Sequence, residues 1–199
     1  PEAEPPASLQ GMFRTLWVHR KLIARMSRRE VIGRYRGSAL GLVWSFLNPL
    51  FMLAIYTFVF SVVFKARWGT AEESRPQFAA VLFACLIVHS IFAEVINRAP
   101  QLVLGNVNYV KKVVFPLEIL PVIQLVAAFF HGLVSVVVLL VAKLVFTGSV
   151  PFTALFFPVV ILPLLILILG LSWALASLGV FARDVGQTIV LITSVMLFM

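Results

Sequence analysis

Between Arg36 and Lys65 the chain carries no charged side chain, and this run narrows the choice of fold more than any other feature. A helix of about 20 apolar residues, rising ~1.5 Å each, crosses the ~30 Å hydrocarbon layer of a bilayer. The segment 42–64 meets that length. In lipid a helix satisfies its backbone hydrogen bonds internally, whereas in water this surface would have little polar material to cover it. Three further apolar runs of spanning length follow, at 78–96, 115–141 and 153–181, the last interrupted by Pro158, Pro163 and Gly170. The expected fold is all-α, a polytopic helical membrane protein. Composition agrees, with 61% hydrophobic residues and a mean hydropathy of +1.05, against about 45–50% apolar in soluble domains.

The two ends read differently. PEAEPPAS (residues 1–8) lacks the apolar stretch of a signal peptide and reads as a short disordered tail. Residues 9–199 then form one membrane domain. Thr188–Met199 is an apolar run of 12 residues, too short to span, and reads as the incomplete start of a fifth visible span. Over Leu9–Arg29 the periodicity predicts an N-terminal amphipathic helix lying in the membrane interface. Leu9, Met12, Phe13, Leu16 and Ile23 gather on one face; Gln10, Arg14, Lys21, Arg25 and Arg28 gather on another. Arg20 and Leu22 interrupt the pattern. Such a helix rests with its cations among the lipid headgroups, or serves only as a topological anchor.

Charge fixes the expected orientation. With the N-terminus inside, 12 of the 16 lysines and arginines fall on the inner side and 4 on the outer. The positive-inside rule then places the N-terminus in the cytoplasm. The net charge of +8 is thereby accounted for by topology, and no nucleic-acid partner is needed.

Chemistry for covalent catalysis is missing from the pattern. None of the five lysines follows a glycine, so there is no P-loop. His19, His89 and His131 show no metal-ligand spacing, and Cys85 is the lone cysteine, so no metal site is expected. Glu94 and Glu118 fall near the inner ends of their spans. His89 and His131 lie deeper, suited to interhelical hydrogen bonding or to proton relay. An ion-coupled porter and a non-transporting scaffold therefore stay open alongside a transporter driven by a separate ATPase.

Three groups of residues stand out. Gly33, Gly37, Gly41 and Ser45 recur every four residues, a small-residue packing stripe if the segment is helical; glycine also permits a bend into the first span. Trp44, Phe46, Asn48, Phe51 and Tyr56 either pack in the core and against lipid or offer aromatic faces and polar groups to line a passage suited to sugar rings, with a kink expected at Asn48-Pro49. In the connection 97–114, Arg98, Asn106, Asn108, Lys111 and Lys112 stand among apolar residues, either a docking surface for a partner or a solvated loop.

RREVIGRYRGSALGLVWSFLNPLFMLAIYTFVFSVVF (Arg28–Phe64) closely resembles the opening segment of polysaccharide-exporting ABC permeases, the transmembrane subunits of type 2 ABC exporters. NVNYVKKVVFPLEILP (Asn106–Pro121) and FARDVGQ (Phe181–Gln187) are similar to later cytoplasmic segments of that family. The resemblance implies a six-span permease of the bacterial inner membrane that homodimerises and binds two separate ABC ATPase subunits. ATP and Mg would then sit on those partners, with no cofactor in this chain. It also implies an undecaprenyl-linked polysaccharide as cargo, the O-antigen branch being most similar, with teichoic acid and capsule exporters close behind. On that reading Arg34 and Arg36, then Arg28 and Arg29, are candidates to hold a pyrophosphate headgroup. Arg98, Asn106, Asn108, Lys111 and Lys112 are candidates to dock the ATPase.

Overall fold

The computed structural model describes residues 9–59, 75–107, 115–148 and 152–197, and every regular element among them is a helix. The α-helices are α1 (Leu9–Val18), α2 (Arg20–Arg34), α3 (Trp44–Phe58), α4 (Arg75–Arg98), α5 (Ile119–Thr147), α6 (Phe157–Phe181) and α7 (Val185–Met196). Short 3₁₀ turns precede α3 (Gly41–Val43), follow α4 (Ala99–Gln101 and Leu104–Asn106) and precede α6 (Phe152–Phe156).

Four of these helical stretches are long and apolar enough to cross a membrane: Gly41–Phe58, Ala80–Gln101, Ile119–Val145 and Phe152–Phe181. The apolar helix α7 has 12 residues and is shorter than a span. It starts at Val185, three residues before the expected boundary, because the turn after α6 is confined to residues 182–184. The prolines sit where helices tolerate them or bend. Pro121 and Pro158 fall in first turns, where a missing N–H costs nothing, while Pro49 and Pro163 lie inside α3 and α6. The expected tail (1–8) and the far end of the first span (60–64) lie outside the described residues.

The single helix expected over Leu9–Arg29 is two helices, divided at His19. Thr15 Oγ1 donates to the Gly11 carbonyl at 3.0 Å, and the His19 Nδ1 stands 2.9 Å from the Thr15 carbonyl. Side chains that reach back to carbonyls four residues earlier bend helices. Of the anticipated apolar face, Leu16 on α1 and Ile23 on α2 pack in one core while Phe13 is exposed, as is the neighbouring Trp17; Ser27 and Val31 are buried with Ile23 at i+4 and i+8. The Arg20 guanidinium lies 4.9 Å from the Trp17 ring centroid, a cation–π contact.

The chain divides into two compact units. The first comprises the described parts of Pro1–Arg34, Ala93–Ala127 and Leu165–Met199. Its core joins Ile23 of α2 to Ile119 and Ile123 of α5, with Leu16, Met26 and Phe115 packed around them. Trp173 Nε1 donates to the Glu118 carbonyl at 2.9 Å, and Thr193 Oγ1 donates to Asn97 Oδ1 at 2.8 Å, tying α6 and α7 into this unit. Gly179 of α6 lies directly on the Pro100 backbone, a close approach that only a missing Cβ allows.

The second unit comprises the described parts of Tyr35–Phe92 and Ala128–Leu164. There α4 buries Phe83, Ile87 and Ile91 at i, i+4 and i+8, and α3 buries Ser45, Pro49 and Leu53 at the same spacing. Gly132 of α5 stands against the Ile91 side chain. His131, read from the sequence as a residue for interhelical hydrogen bonding, faces Tyr35, with Oη to Nδ1 at 3.4 Å and the rings edge to face.

Candidate functional site

Two charged residues on α2 meet two on α4. Glu30 and Arg34 are four apart, as are Glu94 and Arg98, so each pair shares one face of its helix. The faces meet in opposite sense: Arg34 pairs with Glu94, and Arg98 Nη1 donates to Glu30 Oε1 at 3.2 Å. Gln124 of α5 closes a triad, its Nε2 donating to Glu30 Oε1 at 3.2 Å while its Oε1 accepts from Arg98 at 3.4 Å. The Arg34–Glu94 side chains are 31% and 20% exposed and those of Arg98–Glu30 are 45% and 40% exposed, so the second pair is the more hydrated and the weaker.

Beside the triad opens a cleft of about 660 Å³. Arg98 and Arg183 line it, together with the amides of Asn97, Gln101, Gln124 and Gln187 and the side chain of Asn106. Among the described residues its lining carries two cations and no carboxylate. Gly186 and Gln187 belong to the first turn of α7, where their backbone N–H groups donate to the carbonyls of Arg183 and Asp184 at 3.4 and 3.1 Å, so the donors left for the cleft are side chains. The cleft suits an anionic group that accepts several hydrogen bonds. No group of three His, Cys, Asp or Glu side chains able to hold a metal comes together among the described residues.

The sequence-predicted residues distribute as follows. Arg28, Arg29 and Arg36 are exposed, Arg36 in the turn that follows α2. Arg34, expected to reach a headgroup, is instead engaged with Glu94. Arg98 and Asn106 both line the cleft, Asn106 also donating to the Leu102 carbonyl at 2.8 Å. Asn108, Lys111 and Lys112 lie outside the described residues. Of the passage residues, Trp44, Asn48 and Phe51 share one unburied or half-buried face of α3 at i, i+4 and i+7. Tyr56 is on the buried side, its ring centroid 6.5 Å from that of Phe83, and Phe46 is exposed elsewhere.

The glycine stripe needs correction. Helix α2 ends at Arg34, and Gly37 and Gly41 adopt positive φ of 89° and 51°, so Gly33, Gly37, Gly41 and Ser45 do not fall on one helix. A Cβ at Gly33, Gly37 or Gly41 would meet nothing within 4 Å. The recurrence serves the bend; among the described residues no helix packs on Gly33, Gly37 or Gly41. Ser45 alone is buried, with its hydroxyl donating to the Leu42 carbonyl at 2.7 Å.

Glu30, Gln101, Gln124, Gly179 and Gln187 were not singled out from the sequence. The Glu30/Arg34 spacing against Glu94/Arg98 was a usable signal, and the FARDVGQ segment already contained Arg183 and Gln187.

The ABC-2 type transporter family model matches residues 21–199. The chain belongs to this family. As an ABC-2 member with four helices of spanning length, it is a multi-pass membrane protein. It is similar to an O-antigen export system permease protein RfbA of Myxococcus xanthus, 29% identical over 173 residues, which covers 87% of this chain and 64% of that protein. A Klebsiella pneumoniae protein of the same name is 26% identical over 165 residues, covering 82% of this chain and 61% of its relative. The chain thus spans just under two thirds of the length of these curated relatives.

Proposed function

We propose that this chain belongs to the permease subunit of an ATP-driven exporter that moves a lipid-linked, O-antigen-like polysaccharide out of the cytoplasm. The observation that carries this reading is the ABC-2 match over residues 21–199, with O-antigen export permeases among the relatives. The protein works as a homodimer in the bacterial inner membrane, with its N-terminus in the cytoplasm and two ATPase subunits supplying ATP hydrolysis. The cleft-lining residues Arg98 and Asn106 belong to the ATPase-facing surface, and Trp44, Asn48 and Phe51 to the wall of the passage.

The exposed arginines of α2 and its following turn, Arg28, Arg29 and Arg36, receive the pyrophosphate headgroup through charge-assisted hydrogen bonds. Arg34 contributes less, because the headgroup would have to compete with Glu94 for it.

The test is reconstitution of the full-length permease with its ATPase in lipid vesicles. Undecaprenyl-pyrophosphate-linked glycan raises ATP hydrolysis and crosses the bilayer if the reading is correct. Hydrolysis indifferent to the glycan, or transport driven by an ion gradient without the ATPase, refutes it. Replacing Arg28 and Arg36 together by Ala lowers export by about tenfold or more, from the ~1.5–3 kcal/mol of a hydrogen bond to a charged group, while assembly with the ATPase persists.

A further inference from the structure

Arg98 belongs to two structures at once. Its Nη1 donates to Glu30 Oε1 at 3.2 Å and to Gln124 Oε1 at 3.4 Å, and the same side chain lines the cleft beside Arg183. Gln124 also takes part in both. The described lining is cationic and rich in N–H donors, whereas the carboxylate nearest to it in function, Glu30, reaches Arg98 from α2. At 45% and 40% exposure the Arg98–Glu30 pair is hydrated and weakly held, so a second carboxylate arriving from the cleft side can displace the first. Such an exchange conserves charge: Arg98 keeps one anionic partner throughout, and the released Glu30 returns to water.

We propose that an acidic side chain of the ATPase subunit enters this cleft and takes Arg98 from Glu30, unclasping α2 from α4 and α5 at that level. The proposal rests on the functional reading above for the identity of the partner; the choice of an acidic group rests on the charge of the lining. Its consequence is mechanical. Glu30 of α2 bonds to both Arg98, at the end of α4, and Gln124, near the start of α5. Releasing it leaves α2 attached through Arg34–Glu94 and the Ile23–Ile119–Ile123 core, free to shift the arginines around it. Glu30 is therefore a positioning residue, and ATPase engagement is linked to the placement of Arg28 and Arg36.

A competitor and a structural support predict opposite effects when removed. The purified ATPase subunit is titrated onto the full-length permease in nanodiscs. Glu30→Gln keeps the size of the side chain but deletes the competing charge, and it tightens ATPase binding by about two- to fivefold, the range expected for a hydrated ion pair. Gln124→Glu adds a carboxylate at Arg98 and weakens binding by a similar factor. Arg183→Glu, which makes the lining acidic, weakens it as well. Unchanged or weaker binding by a folded Glu30→Gln variant overturns the exchange, and so does indifference to Gln124→Glu, which keeps the test decisive should Glu30→Gln fail to fold. A wild-type permease that binds no ATPase overturns the functional reading and the exchange with it; wild-type binding with insensitive variants overturns the exchange alone.

Discussion

Alanine at Gly179 and alanine at Gly170 make a matched pair on α6. At Gly170 a Cβ meets nothing within 4 Å. At Gly179 it stands 2.6 Å from both the Cα and the carbonyl carbon of Pro100 and closer still to the Pro100 oxygen. Reaching ordinary contact at 3.4 Å requires the two backbones to part by more than 0.8 Å, because the Pro100 oxygen is nearer than the two carbons, and neither is a flexible side chain that can swing aside. Overpacking of this kind costs ~1–3 kcal/mol, against a helix-propensity gain of up to ~1 kcal/mol for Gly→Ala. Gly170→Ala therefore stabilises by up to ~1 kcal/mol, and Gly179→Ala falls below it by ~1–3 kcal/mol. Thermal unfolding in detergent, followed by tryptophan fluorescence, compares the two. Because the displaced turn Ala99–Gln101 lines the cleft through Gln101, Gly179→Ala also weakens ATPase binding if the partner docks there as proposed. A Gly179→Ala variant as stable as Gly170→Ala refutes the close approach of α6 to this turn.

Gly37→Ala costs ~1–2 kcal/mol because φ of 89° is unfavourable for a residue with a Cβ, although the space around it is open. Gly33→Ala, in a helix with open surroundings, is neutral or stabilising, and the same unfolding assay separates the two. A double-mutant cycle with Arg34→Ala and Glu94→Ala returns a coupling of ~0.5–1 kcal/mol that shrinks in high salt, since both side chains keep some contact with solvent. Tyr35→Phe retains the edge-on ring contact with His131 but loses a long 3.4 Å hydrogen bond, costing ~0.5–1 kcal/mol. His131→Ala removes both contacts and costs more in the same measurement.

The spans were legible because helix length and charge-free runs are one-dimensional properties. Residues 78–96 and 153–181 needed only counting: α4 covers the first, and α6 with the 3₁₀ turn before it covers the second. The break at His19 was not legible, since it depends on side chains of Thr15 and His19 turning back onto the helix in place of water. Arg34 was marked by its place beside the first span, but its partner Glu94 lies 60 residues away, and no local pattern links them. The cleft is harder still to read. It takes residues from α4, the turns beyond it, α5, the α6–α7 corner and α7, and five of its eleven lining residues are uncharged amides, a residue type without a spacing rule.

The recurrence of Gly33, Gly37 and Gly41 shows why spacing alone misleads at such a place. Every-fourth-residue glycine reads as a packing face only if the backbone stays helical, and the helix stops at Arg34. Beyond it, Gly37 and Gly41 take up the positive φ that redirects the chain toward α3. Their surroundings are open, so an added methyl group is opposed by the backbone angle and not by a neighbour. The residues just before the bend are the ones held by partners: Arg34 by Glu94 within one unit, and Tyr35 by His131 within the other. Fixed side chains followed by permissive backbone are what a bend requires to start at a defined residue. The same arrangement explains the division among the arginines, for Arg34 holds the bend while Arg28 and Arg36 keep their charge toward solvent.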